Sequence, residues 1–264
     1  MKKLLTFTAM CLVAIAAVAQ EATVRVEYTE KYQNWTGANK KEKFILLANN
    51  EESRYYNPMT QKVDSMLSTT EGTANFNNMV EAANAAGQRP PLLPGSRTYI
   101  IKSRPKAEMK CYESAAGELG NYTEEMSEQI WMIGDSTRTI LGYDCVMAEM
   151  DYHGRHWTAW FTPEVPLQDG PWKFCGLPGL ILAADADNGK YRFEATGIEA
   201  TDILFPKKIY GHDLSEKMSR KEMRQTTWTF YKNSSAQMSA EFGTSAMPEV
   251  ELPEGFDLIE TDYK

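Results

Sequence analysis

The chain has 264 residues, and its 36 acidic and 28 basic side chains give a formal net charge of −8. A chain of this length can bury a core of its own and needs no disulfide framework to fold. The acidic balance argues against binding to nucleic acid or to anionic lipid surfaces, because both carry negative charge.

The N-terminus has the pattern of an export signal. A basic start, Lys2-Lys3, precedes an apolar run up to Val18, and Ala17-Val18-Ala19 fits a signal-peptidase site. A membrane anchor is the alternative, but about 15 apolar residues are too few to cross the hydrocarbon layer. We therefore expect residues 1–19 to be a signal peptide and the mature protein to be periplasmic or extracellular. Losing two lysines and no acids moves the formal charge from −8 to −10.

Three cysteines remain after this cleavage, at positions 111, 145 and 175. In an oxidising compartment an odd number leaves open one disulfide with a spare thiol, or no disulfide. Cys111 and Cys145 lie in strand-like segments and are the pair considered for a bridge. Cys145 or Cys175 as a nucleophile would need a histidine base nearby in space, which the sequence alone does not show.

The chain opens with a predicted antiparallel meander of strands. Alternation of polar and apolar residues predicts strands at 23–28, 43–47 and 53–56, with Asn49-Asn50 as a turn. Residues 57–96 then interrupt the pattern as an insertion. One helix is expected within 74–86, and three prolines between residues 88 and 95 exclude regular structure there. The insertion is either a tolerated surface excursion or a mobile flap.

Strands resume after the insertion. They are expected at 98–102, 108–112, 129–133, 137–141, 143–152, 156–162, 180–184 and 191–196. Turns are expected at Gly134-Asp135-Ser136, at His153-Gly154-Arg155 and at Asp187-Asn188-Gly189.

A helix is expected near the C-terminus. Ser219-Arg220-Lys221-Glu222 has the spacing of a capping box. An apolar stripe follows at Met223, Thr227, Phe230 and Tyr231. Residues 248–264 are predicted to be an acidic tail, held by Phe256, Leu258 and Ile259.

Together these elements predict an α+β, β-rich fold. We expect a single curved antiparallel sheet of roughly 8–11 strands over residues 20–247, with the C-terminal helix and the partly helical insertion packed on it.

The stretch from Gly170 to Leu182 organises the second half of the chain. Leu177-Pro178-Gly179-Leu180 predicts a type II turn, in which Gly179 supplies the positive φ. Gly176 is expected to let another backbone approach closely. The apolar run after this turn predicts a buried strand.

Two groups of side chains are candidates for a site. Asp151, His153 and His156 cluster at a hairpin tip and could ligate Zn²⁺ or Cu²⁺, although a polar turn flanked by aromatic residues is the simpler interpretation. The aromatic side chains near the organising stretch could line a groove for an apolar or sugar ligand, or simply pack the core. These are Trp157, Trp160, Trp172 and Phe174. No catalytic motif is present in the sequence, and we predict no cofactor and no metal.

The organising stretch resembles the GLPGLI family, named after the hexapeptide that runs here from Gly176 through Leu177, Pro178, Gly179 and Leu180 to Ile181. The segments Ile140–Cys145, Ala159–Thr162, Pro163–Pro166 and Gly170–Phe174 follow the family pattern in order. These proteins are exported, occur chiefly in Bacteroidota and have no assigned activity. The resemblance implies a β-rich envelope protein, sometimes associated with outer-membrane transport, and brings no catalytic residues.

We therefore expect an exported envelope protein that acts as a non-enzymatic binding or accessory protein. Its partner would be an apolar ligand or an outer-membrane complex, and not a nucleic acid. The alternative is a metal-binding protein or metal-dependent hydrolase that uses Asp151, His153 and His156.

Overall fold

The computed structural model describes residues 21–116, 118–206, 215–233 and 251–263. The predicted signal peptide and the first residues of the acidic tail lie outside these ranges. The strands are β1 (Val24–Gln33), β2 (Asn39–Ala48), β3 (Glu52–Tyr56), β4 (Tyr99–Ser103), β5 (Glu108–Ala115), β6 (Glu118–Glu125), β7 (Met132–Ile140), β8 (Tyr143–Tyr152), β9 (Arg155–Thr162), β10 (Leu180–Ala186), β11 (Tyr191–Ala200) and β12 (Glu216–Lys217). The helices are α1 (Pro58–Leu67), α2 (Thr70–Ala85) and α3 (Arg220–Lys232).

All the strands belong to one open sheet. Their order is β12-β6-β5-β4-β3-β2-β1-β11-β10-β9-β8-β7. Neighbouring strands pair antiparallel, except that β12 pairs parallel with β6. The predicted β-rich α+β class is therefore confirmed, with a largely antiparallel sheet and a C-terminal helix.

The sheet curls strongly around one face. β6 and β9 are eight positions apart in the strand order, which in a flat sheet would separate them by roughly 40 Å. Yet His153, in the turn between β8 and β9, places its Nε2 atom 3.0 Å from a carboxylate oxygen of Glu124 on β6. The two halves of the sheet therefore face each other, and the surface between them is called the inner face here.

Alternation along the strands builds the core on the inner face. On β1, Val26 and Tyr28 point inward and are fully buried, while β2 contributes Phe44 and Leu46 beside them. Within this core the Tyr28 hydroxyl donates a hydrogen bond to the carbonyl oxygen of Ile181 at 2.6 Å. This bond ties the first strand to the second half of the chain.

Two details of the predicted strands are wrong. The segments 129–133 and 137–141 are not separated by a turn, because Gly134-Asp135-Ser136 is absorbed into β7 as an irregularity between Ile133 and Thr137. β6 was not predicted, because its sequence is mostly polar. Its inward positions carry Tyr122 and Glu124, whose polar atoms find buried partners.

The insertion folds as two helices. α2 contains the predicted helix, whereas α1 was not predicted. Asn57 starts α1, because its side-chain oxygen accepts from the backbone amides of Met59 and Thr60 at 3.0 and 3.2 Å. Residues 88–95 contain no helix or strand, as the prolines predicted.

Helix α3 begins as the sequence predicted. Ser219 and Glu222 form a reciprocal capping box. Met223 and Thr227 of the predicted stripe are buried, and Arg224 is buried with them.

The organising stretch packs onto the inner face, with the roles of its two glycines reversed. Gly176 has a φ of +88°, and a Cβ atom added there would meet no atom closer than Gln129 O at 4.0 Å, so glycine is required there by conformation. A Cβ atom on Gly179 would lie 2.1 Å from the carbonyl oxygen of Thr162, so glycine is required there by close approach. Gly179 is not among the described glycines with positive φ, and the predicted type II turn is therefore wrong.

A buried lysine holds this stretch in place. Lys102 on β4 donates to the carbonyl oxygens of Gly170 at 2.9 Å and Phe174 at 2.7 Å, and it pairs with Asp169 at 2.7 Å. Burial alone would raise the pKa of Asp169, but Lys102 and Arg104 outweigh it and hold that pKa below its usual range. A segment without regular secondary structure is thereby fixed to the sheet.

Cys111, Cys145 and Cys175 are buried free thiols, so the bridge considered between the first two is not formed. Within the described ranges, none of the helices combines the length and the apolar character that a membrane span requires.

Candidate functional site

A cavity of about 370 Å³ opens on the inner face, where the core ends. Its walls come from the end of β1, the turn that follows it and the start of β2, from β5, and from the residues before β4. The start of β11, helix α3 and the C-terminal segment (residues 251–263) complete them. The inward-facing side chains of β1 are Val26 and Tyr28 where the strand crosses the core. Further along the same face they are Glu30 and Tyr32, which line the cavity. The change from apolar to polar side chains along one strand face thus marks where packing stops and the cavity starts.

Five aromatic side chains line this cavity: Tyr32, Trp35, Tyr191, Tyr231 and Phe256. Tyr231 of α3 stacks on Trp35, with ring centroids 5.7 Å apart, and meets Phe256 edge to face at 5.9 Å. The Tyr191 hydroxyl donates to the carbonyl oxygen of Asp257 at 2.7 Å, which fixes its ring against the C-terminal segment. The cavity therefore offers flat apolar surfaces held in place by polar contacts.

Glu30 differs from the other acidic side chains that line the cavity in its lack of a bonding partner among the described residues. Among the described residues it makes neither a hydrogen bond nor an ion pair through its carboxyl group. Burial, followed by the negative charges of Glu42 and Glu113, raises the pKa of Glu30 to about 8. Both neighbouring carboxylates do have partners: Glu42 accepts from Tyr32 Oη at 2.6 Å and Glu113 accepts from Tyr122 Oη at 2.7 Å.

A buried ion-pair cluster lies beside the cavity. It consists of Glu113, Glu124, His153, Lys173, Arg220, Arg224, Glu260 and Asp262.

Glu260 lies at the centre of this cluster. Arg224 Nε donates to it at 2.7 Å and Lys173 pairs with it directly, with both Glu260 and Lys173 fully buried. Burial opposes the charge on each, but the pairing wins: the pKa of Glu260 is well below its ordinary value and that of Lys173 is raised to about 12. Ion pairs therefore hold the C-terminal segment to α3 and to the organising stretch.

The cluster also contains the one grouping with metal-ligand geometry among the described residues. Ligand atoms of Glu124, His153 and Glu260 lie within 4.8 Å of one another. Lys173 and Arg220 already contact Glu124, and Lys173 and Arg224 already contact Glu260. Because these cations neutralise both carboxylates, the grouping fits an ion-pair network better than a divalent metal.

The histidines predicted as metal ligands go to different places. His156 and Asp151 form a pair at 2.9 Å on the exposed side of the hairpin. His153 lies in the turn with a φ of +50° and contacts Glu124 and Asp262 instead. The structure thus brings Asp151 and His156 together and directs His153 to the ion-pair cluster.

The aromatic residues predicted to bind a ligand lie elsewhere than the cavity. Trp157, Trp172 and Phe174 are buried and pack against one another and against Phe193. Trp160 lies half-buried on the other face of β9, covered by the guanidinium of Arg138 at 4.3 Å from the ring centroid.

Sequence reasoning missed the residues that define the cavity and the cluster. A signal for Glu30 existed, since it continues the inward series of Val26 and Tyr28. No such signal existed for Lys173 or Glu260, because their partners come from distant parts of the chain.

Comparison with known proteins adds a partial family match. A protein-family model described as a protein of unknown function (Porph_ging) matches residues 152–183, which include the hexapeptide at 176–181. The GLPGLI resemblance is to a differently named family and stays a prediction. No curated protein matches the sequence.

Among solved structures, the chain resembles PNGF-II in fold. In a C2 crystal form the TM-score is 0.52 at 14% identity, covering 80% of this chain and 33% of that one. A P21 form gives a TM-score of 0.49 at 14% identity, with 80% and 34% covered. The chain thus spans about a third of PNGF-II. A LolA superfamily protein from Nitrosomonas europaea matches at a TM-score of 0.27 and 9% identity, with 74% and 92% covered.

Proposed function

We propose that this chain is an exported, non-enzymatic binding protein that holds a small ligand with an apolar body in the cavity of the inner face. The observation that carries the proposal is the cavity itself, with about 370 Å³ of space and five aromatic side chains around it. Small-molecule sites are typically concave, rich in aromatic surface and provided with few polar groups, and their volumes start at about 300 Å³. Export is proposed on the N-terminal sequence pattern.

The rigidity of the walls supports this proposal. Arg155 donates to the carbonyl oxygens of Ile259 at 2.8 Å and Leu258 at 2.6 Å, which holds the C-terminal wall. On the opposite wall, Glu42 accepts from Asn57 at 2.9 Å and from the backbone amide of Ser96 at 2.6 Å. A preformed site loses less entropy on binding than one that must be ordered by its ligand.

Native mass spectrometry of the protein purified from its own cell envelope tests the proposal. We expect a bound small molecule that denaturation releases. Trp35→Ala should lose it, because the substitution removes the ring that stacks on Tyr231. Trp160→Ala is the matched control, since Trp160 lies on the other face of the sheet, and it should keep the ligand.

Two results would contradict the proposal. A wild-type mass with nothing bound would favour an envelope protein as partner, to be sought by pull-down from detergent-solubilised envelopes. Loss of the ligand from Trp160→Ala, with retention in Trp35→Ala, would place the ligand on the outer face of β9.

A further inference from the structure

The unpaired carboxyl of Glu30 suggests what kind of ligand the cavity takes. Glu30 is half-buried and borders the cavity. A carboxyl group drawn partly out of water normally has an ion pair or several hydrogen-bond donors, because a poorly solvated charge is costly. Glu42 and Glu113 have such partners, and among the described residues Glu30 has none. Among the described acidic residues that line the cavity, Glu30 is thus the one without a partner.

The surroundings of Glu30 favour positive charge. The groups that face it or line the same cavity are Tyr32, Lys40, Glu42, Tyr55, Arg97, Glu113, Tyr191, Arg224, Tyr231 and Asp257. Arg224 and Arg97 are paired, with Glu113 and Asp64 respectively. Lys40 is exposed to solvent. The charges that act most on Glu30 are those of Glu42 and Glu113, and both are negative.

A buried hydroxyl group near Glu30 also lacks a hydrogen-bond partner among the described residues. Tyr55 is 1% exposed, and its Oη atom has no hydrogen-bond partner among the described residues. After burial, Glu30 is the group that most raises the pKa of Tyr55. Glu30 in the cavity and the Tyr55 hydroxyl in the adjoining core are therefore two polar groups without a partner among the described residues.

The aromatic side chains that line the cavity also favour binding of a cation. Ring faces are negative, and a cation enclosed by several rings is bound more strongly than a neutral group of the same shape. Tyr191 already binds a cation in this way on one side, since the Arg155 guanidinium lies 4.6 Å from its ring centroid.

We infer that the ligand of this cavity is an organic ammonium ion, with Glu30 as its counter-ion and the five aromatic side chains as its enclosure. The inference rests on the proposed function, because it names the ligand class of the same cavity. When the cation enters, the Glu30 carboxyl gives its proton to solvent and remains as a carboxylate beside the ammonium group. Binding therefore releases a proton at any pH at which the free protein holds one on Glu30.

Isothermal titration calorimetry with a matched pair of probes tests the inference on the full mature chain. Choline and 3,3-dimethylbutan-1-ol have the same shape, and differ in that a quaternary nitrogen replaces a carbon. We expect choline to bind at least about tenfold more tightly. Glu30→Gln should abolish that preference. Glu27→Gln, on the same strand but pairing with Arg25 outside the cavity, should preserve it.

The pH dependence gives a second readout that a merely structural role of Glu30 would not produce. At pH 6.5, titrations in buffers of different ionisation enthalpy should show release of close to one proton on choline binding, and none for Glu30→Gln. Choline affinity should rise with pH and level off above about 8.

The outcomes separate the inference from the proposed function. Equal affinity for the two alcohols, or a choline preference that survives in Glu30→Gln, would overturn the ammonium inference and leave a neutral-ligand binding protein standing. Absence of saturable binding by either alcohol would also overturn it, while the co-purified mass decides the binding function independently.

Discussion

Glu30 is a single residue whose position in the fold lowers the stability of the folded protein as the pH rises. Its pKa of about 8 in the folded protein, against an ordinary value of 4.5, means that the folded state holds a proton that the unfolded state has lost between these values. The unfolded state then binds fewer protons, so stability falls as pH rises through this range. A residue kept at such a cost is typical of binding sites.

Glu30→Gln should therefore stabilise the protein in a pH-dependent way. We expect a melting temperature several degrees above wild type at pH 8 and a difference close to zero at pH 4, below the unfolded-state pKa, because glutamine carries no charge to desolvate. Thermal unfolding followed by circular dichroism at both pH values measures this. A variant less stable than wild type at pH 8 would show that the carboxylate has a stabilising partner.

The two glycines of the organising stretch, Gly176 and Gly179, allow a second prediction about single residues. Gly176→Ala should cost about 1–2 kcal/mol of unfolding free energy, since alanine is strained at a φ of +88° but meets no atom there. Gly179→Ala should cost more, because its methyl group would overlap the Thr162 carbonyl oxygen. Urea titrations compare them, and equal losses would contradict the assigned roles.

Among the secondary-structure elements, most correct predictions came from the alternation of polar and apolar residues in strands and from the capping pattern of helix α3. Strands such as β1 and β9 and the start of α3 follow local rules, and they are found where the sequence places them. β6 was not predicted because its inward side chains carry polar groups, which are tolerated because β5, α3, the β8–β9 turn and the organising stretch supply partners for them. Local patterns do not contain that information.

The C-terminal segment is the element whose attachment depends most on charge. Glu260→Gln should cost about 3 kcal/mol of unfolding free energy at pH 7, because it leaves Arg224 and Lys173 buried without their shared partner. The loss should shrink as pH falls, since a depressed carboxyl pKa contributes stability only above the unfolded value and loses it on acidification. Glu254→Gln, in an exposed part of the same segment, is the control.

Guanidinium unfolding at pH 7 and pH 4 measures this difference. A Glu260→Gln variant as stable as its Glu254→Gln control at pH 7 would show that the ion-pair cluster does not hold the segment.

At the scale of the whole molecule, the decisive feature is the curl of the sheet. It brings His153 to Glu124 and places α3 and the C-terminal segment opposite β1, which creates the cavity. The sequence supports a β-rich fold but does not encode this curl in any short motif. The site was for that reason predicted near Trp157 and Trp172, whose rings form the core, and not at the end of β1.

A crystal structure of the protein purified from the cells that produce it, without removal of bound molecules, shows directly whether the cavity holds a ligand. We expect electron density for a small molecule in the cavity, in contact with the rings of Tyr231 and Tyr191 and beside the Glu30 carboxyl group. Density for a co-purified molecule on the outer face beside Trp160, with the cavity holding only water, would contradict it.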